Sequence, residues 1–124
     1  MSTTTMLLVT FDGLAALFVA LGIPLMRRKV PPNPFYGFRT PSTLEDETLW
    51  YDVNAKSGAD MVLVGVVLGV LTTTLFFTGT SEAGLATACV VWVVVGSIVL
   101  LVRGLGVVRA RKKTSSSESR SGDG

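Results

Sequence analysis

Side chains able to do chemistry are few in this sequence and fall in two places. The first is Asp12, the only ionisable residue well inside an apolar run. A carboxylate within a membrane span is by default a proton or cation site, because an isolated charge there is costly. The second is the stretch 33–58, NPFYGFRTPSTLEDETLWYDVNAKSG, which sets aromatic, amide and paired charged residues between two apolar runs. In it Arg39 is a natural donor to a carboxylate, a carbonyl or an anionic group. Asn54 carries an amide that needs partners when buried. The chain has no histidine and one cysteine, Cys89, which removes the usual metal ligand and general base and excludes an internal disulfide. No CxxC, GxSxG, phosphate-loop or dinucleotide pattern occurs. The expectation is a protein that is not an enzyme and takes no metal or cofactor.

The elements that must position these residues are read from hydropathy. With 124 residues the chain is one domain, and 48% of it is apolar with the charges clustered, which does not suit a water-soluble core. Three apolar runs stand out, at 6–26, 61–78 and 85–102. At ~1.5 Å per residue they are about 27 to 31 Å long, enough to cross a bilayer core. None shows the polar face of a buried helix in a soluble protein. The fold class is therefore an all-α membrane protein of three transmembrane helices. Residues 1–113 form the membrane domain, and the serine-rich segment 114–124 is expected to be disordered.

The first run lacks the basic start and the A-x-A site of a secretory signal, and it ends in Arg27, Arg28 and Lys29 like a retained helix. All eleven basic residues lie in the loop after that run or beyond the third run. This asymmetry predicts a plasma-membrane protein with its N-terminus outside, its C-terminus inside and a cytoplasmic loop 27–60. The basic cluster 109–113 reads as a topology anchor or as a group attracted to anionic headgroups.

Within the loop, VPPNP cannot be helical, so NPFYGFRTP should be an ordered turn in which Gly37 supplies backbone freedom. Phe35, Tyr36 and Phe38 suit the headgroup zone. A helix should follow, capped by Thr40 or by the box Ser42–Glu45, with Glu45, Asp46 and Glu47 in its first turn. Gly58 is the predicted stop, and Asp60 would cap the second transmembrane helix. Trp50 and Asn54 share one side of this helix, beside a stripe of Leu49 and Val53. It reads as an amphipathic helix on the membrane surface, its apolar side toward lipid or the bundle.

Other residues read as packing. Gly65 and Gly69 form a small-xxx-small pattern, for contact within the chain or in a homo-oligomer, and Ala16 and Ala20 are a weaker copy. Thr72, Thr73 and Thr74 can satisfy their hydroxyls one turn back. Pro24 should kink or end the first helix, while Trp92 and Cys89 read as core. Asp12, about 9 Å from the outer end of its run, is open to three readings: a functional site, a group reaching the interface, or a cap.

NPFYGFRTPST followed by a tryptophan and then an asparagine resembles the signature of the SdpI family of small membrane proteins. The matching positions are Asn33, Tyr36, Gly37, Arg39, Thr40, Trp50, Asn54 and Gly58. The resemblance implies an integral membrane protein that gives immunity to a secreted antimicrobial peptide. It also implies a protein that draws a transcriptional repressor to the membrane when toxin is present, with the loop holding either a partner protein or the bundle in a toxin-responsive shape. The partners implied are the lipid bilayer and a peptide toxin or cytoplasmic regulator protein, with no direct nucleic-acid binding. The characterised immunity protein is longer, with additional membrane helices before this module. The alternative read from the residues is a small oligomeric ion or proton-coupled transporter component using Asp12.

Overall fold

The computed structural model describes residues 1–122, apart from the side chain of Ser115. Its helices are α1 (Thr3–Met26), α2 (Pro41–Glu45), α3 (Glu47–Phe77) and α4 (Glu82–Gly122), with no strand among the described residues. Three of them, α1, α3 and α4, are long and apolar enough to cross a membrane. Large apolar side chains such as Leu63, Val70, Ile98 and Val102 point outward and are more than half exposed. That is the surface of a helix bundle solvated by lipid.

Helix α1 begins at Ser2, whose hydroxyl accepts the Thr5 N–H at 3.2 Å. Pro24 lies inside its last turn. The helix stops by a double hydrogen bond: the N–H groups of Arg28 and Lys29 donate to the carbonyls of Leu25 and Pro24 at 3.1 and 3.0 Å. This closure requires a left-handed residue, here Arg28 at φ 58°. The end of α3 repeats it with Gly79 at φ 75°.

The separate interfacial helix predicted before the second span is not found. Helix α3 runs unbroken through Gly58 for 31 residues. Its buried stripe, Trp50, Asn54, Ser57, Gly58, Gly65, Leu68 and Thr72, keeps helical spacing from one end to the other. A break at Gly58 would put the two halves out of register with a single facing surface. Gly58 is instead where α1 crosses α3. A Cβ there would lie 2.6 Å from the Gly22 carbonyl oxygen, and one at Gly22 would lie 2.7 Å from the Gly58 carbonyl oxygen. Two turns further along both helices the contact recurs, with a Gly65 Cβ placed 2.8 Å from the Ala15 carbonyl oxygen. Small residues let these antiparallel backbones touch. Gly69 is looser, with Ala15 Cβ at 3.6 Å. Asp60 caps nothing; it pairs with Arg103 of α4 at 2.8 Å.

Helix α4 presents Leu85, Cys89, Gly96, Gly104 and Val108 to the bundle. The tail expected to be disordered continues this helix to Gly122, and residues 123–124 lie outside the described ones. Extending an anchored helix requires no new nucleus and no proline interrupts it, although its described side chains beyond Arg111 are all exposed.

Candidate functional site

The loop after α1 folds back as a cap on one end of the bundle, and its bonds can be followed residue by residue. Asn33 makes an Asx turn. Its Oδ1 accepts the N–H groups of Phe35 and Tyr36 at 3.0 and 2.8 Å, and its Nδ2 donates to the Pro31 carbonyl at 2.8 Å. Gly37 follows at φ 110°. A Cβ there would lie 2.8 Å from Asn54 Oδ1 and 3.2 Å from the Trp50 ring, so backbone conformation and space both demand glycine.

Asn54 is 1% exposed and fully used. Its Oδ1 accepts the Phe38 N–H, while Nδ2 donates to the carbonyls of Trp50 at 2.9 Å and Phe38 at 3.4 Å. Trp50, wholly buried, donates its indole N–H to the Val30 carbonyl at 2.8 Å. Tyr36 donates its hydroxyl to the Leu21 carbonyl of α1. Burial pushes its phenol above the ordinary value of 10.0. Arg39 donates to the Pro34 carbonyl and otherwise stays exposed.

Thr40 is the cap that α2 uses, in a reciprocal box with Thr43 and not with Glu45. Thr43, wholly buried, also donates to the Phe38 carbonyl at 3.1 Å. Asp46 then caps α3 through the Leu49 N–H at 3.1 Å, leaving only Glu47 of the three acids in a first turn. Leu49 and Val53 turn inward and pack with Val108 of α4 and with Phe38. The Phe38 ring fills the space where Gly104 has no side chain, its nearest carbon 2.5 Å from the position of a Cβ there. Asp52 accepts from Arg28 at the end of α1, at 3.0 Å, and from Arg111 of α4.

The motif residues Asn33, Tyr36, Gly37, Thr40, Trp50 and Asn54 thus meet in one knot. Gly58 lies below it at the α1–α3 crossing. Asp12 is apart, near the other end of the bundle, where Thr73 donates to its Oδ2 at 3.2 Å. Its Oδ1 is the one buried side-chain oxygen without a hydrogen-bond partner among the described residues. Thr72 Oγ1 lies 3.2 Å from Cys89 Sγ and donates to the Leu68 carbonyl. Trp92 donates to the Val64 carbonyl at 3.1 Å. No group of three or more metal-ligating side chains occurs among the described residues.

Sequence reasoning missed Thr43, Asp52, Arg111, Gly22 and Gly104. Thr43 was legible as the third residue after Thr40 in a capping box. The others have meaning only through contacts across the bundle.

Two comparisons with known proteins return nothing: no curated protein and no solved structure matches the chain. A family model does match. It is described as the SdpI/YfhL protein family and covers residues 29–105, from the cap through α3 and into α4.

Proposed function

Because the chain belongs to the SdpI/YfhL protein family, we propose that this multi-pass membrane protein gives immunity to a secreted antimicrobial peptide, or signals its presence, through the capping loop. The reading includes the orientation predicted from the basic residues, with the cap in the cytoplasm. The observation that carries it is the use to which the motif is put. Asn33, Tyr36, Trp50 and Asn54 each bond to backbone of another segment or turn. A plain connector between two spans requires no such fastening. The cap joins the end of α1, the start of α3 and the far part of α4, so a shift in any span alters the surface it shows. That surface includes Phe35, 88% exposed, and the free N–H groups of Arg39. A peptide acting on the spans would thereby be registered at a face open to a cytoplasmic regulator.

The test is survival of a sensitive bacterial host expressing the chain and challenged with the family's peptide toxin. Trp50→Ala and Arg39→Ala should lose protection at equal membrane levels, and Asp12→Asn should keep it. A well-expressed wild type that gives no protection sinks the immunity reading against that toxin.

Asp12 favours a second reading, a proton- or cation-coupled transport component. Its Oδ1 is a buried acceptor that no described residue engages, and a carboxylate within a span is the kind of group on which a transported ion is held. On this reading Asp12→Asn abolishes flux in proteoliposomes, and Trp50→Ala does so only if the fold is lost.

A further inference from the structure

The helices α1 and α4 pack against a shared core at the end of the bundle away from the cap. Phe11 and Leu14 of α1 meet Trp92 and Val93 of α4 around the core of Ala15, Leu68 and Cys89. Toward the cap an apolar crevice of about 230 Å³ lies between the two helices. Leu21 and Leu25 form one wall and Leu100 the other. Met61 and Ser57 of α3 make the floor, and Tyr36 to Phe38 make the roof. These positions lie in the end turns of apolar spans, just inside the hydrocarbon. Water does not fill an apolar cavity at that depth.

The unpaired charges that adjoin the lining residues in the sequence are basic, since Asp60, next to Met61, is paired with Arg103. Arg27 and Lys29 follow the Leu25 wall, and Lys56 precedes Ser57 on the floor; all three are exposed. The ion pairs of the described residues engage Arg28, Arg103 and Arg111 and leave these three without a carboxylate. We propose that the crevice is a specific site for one acyl chain of an anionic phospholipid, with Arg27, Lys29 and Lys56 meeting its headgroup. An apolar slot whose walls run on in sequence into exposed, unpaired cations suits an anionic amphiphile, where a zwitterionic lipid satisfies only the slot. The bound chain would fill the gap between α1 and α4 and steady the roof made by the motif. This inference is independent of the immunity reading.

The test uses the full chain in nanodiscs of phosphatidylcholine with phosphatidylglycerol added in steps. Native mass spectrometry counts retained lipid, and circular dichroism follows thermal unfolding. The wild type should retain one phosphatidylglycerol and melt higher once it is bound. Leu100→Trp, which fills the slot, should lose retention. The triple variant Arg27→Gln, Lys29→Gln, Lys56→Gln leaves the apolar packing untouched and keeps the test valid should the tryptophan variant misfold. Its affinity should fall roughly a hundredfold, at about fivefold for each surface cation removed. Equal retention of phosphatidylcholine, or undiminished phosphatidylglycerol binding by the triple variant, would overturn the proposal and leave only annular lipid.

Discussion

Asn54 pairs with both the N–H and the C=O of Phe38, standing in for a neighbouring strand at a place where the loop has none. Removing it leaves a buried donor and acceptor without partners, at about 1–3 kcal/mol. Asn54→Ala should therefore lower the melting temperature in detergent far more than Arg39→Ala, whose side chain is exposed. Arg28 carries two opposed terms. Its left-handed backbone costs roughly 1–2 kcal/mol, and its ion pair with Asp52, more than half exposed on the arginine side, returns about 0.2–1 kcal/mol. Arg28→Gly should thus leave stability unchanged or slightly raised in the same melts. Tyr36 predicts a pH dependence. The folded state holds the phenolic proton more tightly than the unfolded chain does, so its contribution is complete below pH 10.0 and declines as pH rises through the elevated folded value. Tyr36→Phe should remove that part of the alkaline slope, read by chemical denaturation at stepped pH.

Among elements, the α1–α3 crossing is the most constrained feature. Gly58→Ala places a methyl group 2.6 Å from two backbone atoms of α1, the Gly22 oxygen and the Met26 nitrogen. Backbone cannot rotate aside, so a loss of about 1–3 kcal/mol or more is expected. Gly106→Ala is the control, since nothing lies within 4 Å of that position. There the gain in helix propensity of up to about 1 kcal/mol should appear alone. If both substitutions were equally mild in thermal melts, the close crossing would be wrong. Three helices were legible from apolar runs, as was the capping role of Thr40. The continuity of α3 was not, because glycine reads locally as a stop while a close helix approach is visible only with its partner in place.

For the molecule in its membrane, every lysine and arginine lies in the segments that begin with Arg27 or end with Arg120 beyond the third span. A single cysteine at Ser119 in a Cys89→Ala background should stay unlabelled by an impermeant maleimide on intact cells, and one at Ser2 should label. The reverse pattern would invert the proposed orientation and with it the cytoplasmic cap. Asp52 links the end of α1 to α4 across α3, so all three spanning helices are tied together at the cap.

The sequence alone determined what depends on composition and local pattern: a lipid-solvated chain of three spans, a motif between the first two, and a family resemblance carried by its residues. Hydropathy and turn chemistry act over a few neighbours and need no knowledge of the rest. Only the tertiary structure decided what the motif side chains hold, because Asn54, Trp50 and Tyr36 spend their polar groups on backbone 15 to 20 residues away. It likewise decided that Gly22, Gly58 and Gly65 form one seam, since a missing side chain gains meaning only from the backbone that occupies its place.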